Sequence, residues 1–181
     1  METKSMIPAN YRRFLLLLTL IATLFFGNPI LPVMAVDYNR ANLVGVDFSG
    51  QDLRKEALFD HANLRDSNFS NANVQGVRFF SANLDSANFE GADLRYADLE
   101  VARLTKVNFT NAILEGAFAT NILVQGAIID GADFTDVLLD PKTEKYLCTI
   151  ATGTNPITGR NTKDTLYCPC LLYTSDAADD P

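Results

Sequence analysis

Histidine occurs once in this 181-residue chain, as His61. Without a second histidine or a nearby cysteine pair it is no zinc ligand and no member of a catalytic triad. Its place two residues after an apolar centre turns it outward. A phosphate-binding glycine loop, a GxSxG elbow and an HExxH helix are missing too, and with them the usual signatures of phosphoryl transfer, acyl transfer and zinc hydrolysis. Carboxylates are plentiful, yet a catalytic acid pair needs two in contrasting environments. Here Asp47, Asp52, Asp93, Asp98 and Asp133 all recur at one repeat position, where they alternate with Asn42, Asn63, Asn68, Asn73, Asn83, Asn88 and Asn108. Neither an enzyme nor a cofactor or metal site is expected. Positive charge is in short supply: 15 Lys and Arg stand against 22 Asp and Glu, for a formal net charge of −7. Such a surface repels nucleic-acid phosphates and anionic lipid heads, so nucleic acid is not an expected partner.

What the chain does have is a five-residue beat, from Ala41 to about Leu139. It is plainest in Ser81-Ala82-Asn83-Leu84-Asp85-Ser86-Ala87-Asn88-Phe89: Ala, then Asn or Asp, then Leu or Phe, then two variable residues. Neither 3.6 residues per helical turn nor the alternation of a strand keeps one face apolar under this period. A solenoid does so, if each pentapeptide forms one side of a coil and its central residue points to the axis.

The centres form 20 pentapeptides, with one extra residue inside Arg54-Lys55-Glu56. Every fourth centre falls in one column. The first column reads Leu43, Leu64, Leu84, Leu104, Val124 and the second Phe48, Phe69, Phe89, Phe109, Ile129. The third reads Leu53, Val74, Leu94, Leu114, Phe134 and the fourth Phe59, Phe79, Leu99, Ala119, Leu139. Like residues in columns predict a square coil of about 20 residues per turn, with its sides paired in parallel to the turns above and below. Asp85, just after a centre, is expected to face solvent freely.

Over roughly 100 residues this chain resembles the pentapeptide-repeat family, whose consensus is A(D/N)LXX. The resemblance implies an all-β fold, a right-handed quadrilateral parallel β-helix of about five coils, on the order of 24 Å tall at ~4.8 Å per coil. It also implies that the small residue two before each centre, such as Ala82 or Ala92, points inward at a corner.

Residues 1–35 do not belong to the tower. Lys4, Arg12 and Arg13 precede an apolar run of 13 residues from Phe14 to Phe26, and Val33-Met34-Ala35 is a small-x-Ala cleavage signal. This is the layout of a secretory signal peptide. The run is short for a span, which needs roughly 20 residues, and an uncleaved anchor is the alternative. Arg12-Arg13-Phe14-Leu15 has the outline of a twin-arginine signal, but the apolar stretch behind it favours the ordinary route. Cleavage would remove three bases and one acid, taking the net charge to −9. No stable membrane insertion is expected after it.

The beat stops after Leu139, and residues 140–169 form a separate end piece. Asp140 and Pro141 predict a helix N-cap and first position, with the helix running to about Leu147. Gly153, Asn155-Pro156 and Gly159 mark turns. Cys148 and Cys168 bracket the segment, and in an exported chain they are expected to form a disulfide rather than a metal site. Tyr146-Leu147-Cys148, Gly153-Thr154-Asn155-Pro156-Ile157-Thr158-Gly159 and Leu166-Tyr167-Cys168 resemble the tail of the thylakoid-lumenal pentapeptide-repeat proteins of oxygenic phototrophs. That resemblance implies the thylakoid lumen, with the periplasm as alternative. Residues 170–181 continue neither pattern; they read as spurious read-through or as a disordered tail, and Cys170 is the odd cysteine.

In the later repeats the position before the centre turns apolar, at Ile113, Phe118, Leu123, Ile128 and Leu138. These five fall on all four sides and ring the end of the tower. An uncovered belt of this kind promotes association. Two readings stay open: the Cys148–Cys168 segment folds over the belt as a cap, or an unidentified protein partner docks there. The function expected on these grounds is a non-enzymatic exported scaffold for protein–protein interaction. The alternative is a DNA-mimicking, gyrase-protecting pentapeptide protein, which the signal peptide disfavours because gyrase is cytosolic.

Overall fold

The computed structural model describes residues 36–54 and 57–168. The expected signal segment 1–35, Lys55 and Glu56, and the expected tail 170–181 with Cys170 lie outside them.

Parallel bridges join each pentapeptide to the one a turn later. They run Asn63↔Asn83, Asn83↔Arg103 and Arg103↔Leu123 on one wall, and Asn68↔Asn88, Asn88↔Asn108 and Asn108↔Ile128 on the next. The offset is 20 residues above the bulge and 21 across it, as in Asn42↔Asn63 and Asp47↔Asn68. One inserted residue is thus absorbed without moving any column. The sides are shorter than ordinary strands, and most pair through a single residue. Among the described residues only β1 (Val36–Asp37) with β2 (Ala57–Leu58), and β3 (Phe118–Ala119) with β4 (Leu138–Leu139), reach two residues, both in parallel.

The reason for the short sides lies at the corners. Among the described residues the second residue after a centre is left-handed throughout the tower, from Arg40 (φ 59°) through His61 (φ 59°) and Ser86 (φ 59°) to Asp136 (φ 55°). Glycines 45, 50, 76, 91, 116, 126 and 131 share this phase. At Gly116 an added Cβ would lie 2.6 Å from the ring of Tyr96, one turn below, which would have to move aside. Val101 holds the same corner at φ 61° with a β-branched side chain, for which that region is strained. Val101→Gly is expected to raise stability by about 1 kcal/mol, read as an upward shift of the urea midpoint at constant slope.

The centres form the core. Phe59, Leu64, Phe69, Phe79, Leu84, Phe89, Leu94, Leu99 and Leu104 are fully enclosed, Phe109 nearly so, and Phe48 buried at the lower end. In the second column the rings stack at 4.9 Å (Phe48–Phe69) and 4.8 Å (Phe69–Phe89), and Phe109 lies tilted by 31° on Phe89 at 5.5 Å. In the fourth, Phe59 stacks on Phe79 at 5.1 Å, and edge-to-face contacts such as Phe69–Phe79 (5.6 Å, 87°) lock the two columns together. Stacked and edge-to-face pairs are the geometries favoured by ring quadrupoles. Tyr38, which precedes the first A(D/N)L match, extends the fourth column downward by stacking on Phe59 at 5.0 Å.

Two helices follow the tower: α1 (Pro141–Ile150) and α2 (Thr162–Thr165). Asp140 caps α1, its carboxylate accepting from the Thr143 N–H at 3.0 Å and the Thr143 hydroxyl at 2.8 Å, with Pro141 at the first position. The helix runs to Ile150, almost a turn beyond the expected end at Leu147, because Leu147 is buried and Ile150 packs against the same core.

A capped end and an uncovered belt

The segment after Leu139 closes the end of the tower rather than its flanks. Leu147 projects from α1 into the last turn among Val124, Ile129, Phe134 and Leu139, leaving about 10 Å³ free, at most room for one water. Asn155, fully buried, donates its amide to the Asn111, Ala112 and Gly131 carbonyls at 3.1, 3.3 and 2.9 Å, and its Oδ1 accepts from the N–H groups of Ile157 and Thr158. The Thr165 hydroxyl accepts from the Phe134 N–H at 3.0 Å, in place of the turn that would come next. Cys148 and Cys168 are joined by a disulfide that ties the end of α1 to the residues after α2.

This placement corrects the expectation that the segment covers the apolar belt. Of the five belt residues only Ile113 is buried. It bridges Asp93 and Asp133 on the wall where Arg160 lies across Glu115, Asp133 and Thr135. Phe118, Leu123, Ile128 and Leu138 remain 46–54% exposed. Phe118 and Leu138 are register partners of β3 and β4 and make a two-step apolar ladder on the fourth wall. Leu123 and Ile128 occupy the first and second walls. The segment also touches the first and second walls, through Tyr146 to the Gly126 N–H and Thr152 to Asp130, but these contacts fall at the corners and leave the outward belt side chains uncovered.

Lower down, the outward position of each wall is polar and internally bonded. Asn68, Asn88 and Asn108 form a ladder, Asn88 donating to Asn68 at 3.3 Å and Asn108 to Asn88 at 3.0 Å. Their Oδ1 atoms also accept from backbone N–H groups two residues on, such as Ser70, Glu90 and Thr110, the local bonding typical of short polar side chains. Asp85 is more engaged than its sequence position suggests. It accepts from the Thr105 hydroxyl and from Arg103 at 2.7 Å, one turn above. Asp93 accepts from Gln75 and Arg95, and Arg78 lies 2.9 Å from Asp60 and 3.7 Å from Asp98. Burial pushes the Asp93 carboxyl up, but the bonds from Arg95 and Gln75 outweigh it and hold the group below the ordinary range.

Asp133 is the enclosed member of the set. Desolvation raises its pKa, while the Thr135 hydroxyl and N–H, Thr158 and Arg160 together bring it below the ordinary value. A depressed carboxyl stabilises the fold above its unfolded pKa, about 3.9, and that contribution disappears as pH falls through the lower folded value. Between pH 5 and 2 the thermal midpoint of the native protein is therefore expected to drop more steeply than that of Asp133→Asn.

His61 is exposed at its corner, edge-on to Phe80 at 5.8 Å. Among the described residues no group of His, Cys, Asp or Glu is arranged to hold a metal ion, and no helix is long and apolar enough to cross a membrane.

Comparison with known proteins decides the family. A pentapeptide repeat protein from the thylakoid lumen of Arabidopsis thaliana has a solved structure that is 48% identical, with a TM-score of 0.68 over 71% of this chain and 89% of that one. The chain belongs to the pentapeptide-repeat family. The family model described as "pentapeptide repeat region" matches residues 32–119. Two curated relatives are thylakoid lumenal proteins of the same plant. Over 40 residues, 22% of this chain, it is 50% identical to thylakoid lumenal protein TL20.3 and 55% identical to thylakoid lumenal 15 kDa protein 1. The matches span only 14% and 18% of those relatives' lengths.

Proposed function

We propose that this pentapeptide-repeat protein is a non-enzymatic, thylakoid-lumenal scaffold for protein–protein interaction: five right-handed coils closed by the disulfide-bracketed cap, delivered by cleavage of residues 1–35. The observation that carries the reading is the belt. Four large apolar side chains stand exposed on three walls of a tower whose core is stacked too tightly to rearrange around them, and the paired Phe118 and Leu138 make contiguous apolar surface of the kind that marks an interaction site. The likeness to lumenal proteins supports the compartment. The DNA-mimic alternative has less behind it, because Arg78, Arg95 and Arg103 lie on wall aspartates, where a duplex mimic needs open rows of carboxylates.

The test is to express the full chain in an oxygenic phototroph, fractionate its thylakoids, and crosslink the lumen before lysis. A protein whose mass begins at Val36, crosslinked to a lumenal protein through the walls of Phe118 and Leu138 and released by a Phe118→Ser/Leu138→Ser variant, is the expected result. Recovery in the cytosol, or crosslinking indifferent to those substitutions, overturns the proposal.

A further inference from the structure

On the wall of Leu64, Leu84 and Leu104, each turn is tied to the next by a pair of bonds. The central N–H donates upward, Leu64 to the Asn83 carbonyl at 2.7 Å, Leu84 to Arg103 at 2.8 Å and Leu104 to Leu123 at 2.7 Å. The accepting residue donates back, Asn83 to Ala62 at 2.9 Å, Arg103 to Ala82 at 3.0 Å and Leu123 to Ala102 at 3.1 Å. The last turn of this wall has no turn above it, and α1 replaces the missing partner only at the corners. The Asn121 N–H is taken by Asp140, and the Gly126 N–H donates to the Tyr146 hydroxyl at 2.9 Å. Between those corners the Val124 N–H and the Ile122 carbonyl have no hydrogen-bond partner among the described residues. The side chains of Val124 and Ile122 are buried, at 4% and 8% exposure, while both residues line the open edge of the last turn. An edge of unpaired backbone N–H and C=O groups is a template for pairing with another chain. Above them opens a groove of about 410 Å³, with Leu123 on its floor and Asp140, Thr143 and Tyr146 along its side.

We propose that this groove binds an extended peptide segment of a partner protein, which supplies the missing residue of the parallel ladder. One residue of the segment donates its N–H to the Ile122 carbonyl and accepts from the Val124 N–H, repeating the pair of bonds made in every turn below. Strand addition of this type takes its affinity from the main chain and its specificity from alternate side chains. The outward column of the wall ends on Leu123, so the bridging residue is apolar. Its two neighbours turn toward an axis already filled by Leu147, so they are glycine or alanine. The groove deepens the scaffold reading and rests on it, naming the chemistry of one contact.

The experiment follows the Val124 amide by hydrogen exchange in the ¹⁵N-labelled protein. The probe is a pool of capped pentapeptides, variable at the ends, with an alanine–leucine–alanine centre. At millimolar peptide the Val124 amide is expected to exchange at least tenfold more slowly. An N-methylated leucine in the probe, which cannot donate to Ile122, and a Leu123→Glu variant, which puts charge under the bridging side chain, each abolish the effect. An unchanged Val124 rate with the pool overturns the proposal. So does an amide already slow in the free protein, or protection that grows with protein concentration alone, which assigns the edge to a second copy. None of these results touches the lumenal recovery or the crosslinking of Phe118 and Leu138, so the two readings fail separately.

Discussion

Phe89→Ala is expected to cost about 3–5 kcal/mol, because a large side chain is removed from a site with little freedom to collapse. Phe89 is sandwiched between Phe69 and Phe109 and meets Phe79 edge-on at 5.9 Å. The backbone on either side is pinned by ladder bonds, such as Phe89 N–H to the Asn108 carbonyl at 2.7 Å, so neighbouring turns cannot sink into the hole. The matching control is Glu90→Ala on the exposed side of the same pentapeptide, expected to stay within about 0.5 kcal/mol. Asp85 does not serve as that control, since its carboxylate ties two turns together through Thr105 and Arg103. Chemical denaturation followed by far-ultraviolet circular dichroism measures both variants, and equal losses would contradict the inward register.

The second large effect is expected from the double variant Cys148→Ser/Cys168→Ser. The sulfurs close a loop with a sequence separation of 20, worth about 3 kcal/mol by the chain-entropy model. The loss falls on the cap before it reaches the tower. Leu147 leaves its socket, and the end of the coil exposes apolar side chains and unpaired backbone, a template for further pairing. Hydrophobic-dye binding and higher oligomers should therefore rise while the strand signal largely persists. A double variant that stays monomeric and silent to dye would show that Asn155, Arg160 and Thr165 hold the cap without the sulfurs.

The core was legible because a period of five has one cheap interpretation, and the identity of the stacked residues then supplied the turn length. Tyr38 escaped because its pentapeptide, Val36-Asp37-Tyr38-Asn39-Arg40, carries a tyrosine where every other centre is Leu, Phe, Val, Ile or Ala, although its ring sits in the fourth column. The left-handed corner was written in the glycines, which keep one phase in the repeat, but the signal is diluted by Ser, Asn, Asp, Lys and Val at the same position. The start of α1 could be read from Asp140-Pro141, a local capping effect. The destination of the cap could not, since it depends on Asn155 reaching carbonyls about 24 to 44 residues away, which no local pattern encodes. For the same reason the belt looked like a surface awaiting its cover, whereas three of the four walls that carry it stay open.

The constant offset between bridged residues has a consequence for how the molecule comes into being. Among the described residues of the tower no bridge joins positions more than 21 apart, so a new turn finds everything it requires on the turn just laid down. Assembly of this kind advances like a zipper, with near-neighbour closure repeated and no distant segment to wait for. A chain emerging N-terminus first can therefore wind as it arrives, Tyr38 and Phe48 setting the gauge for the rings that follow. Cys168 follows the last turn in the chain, so in that order the bond to Cys148 is the final tie to form, a mark of completion.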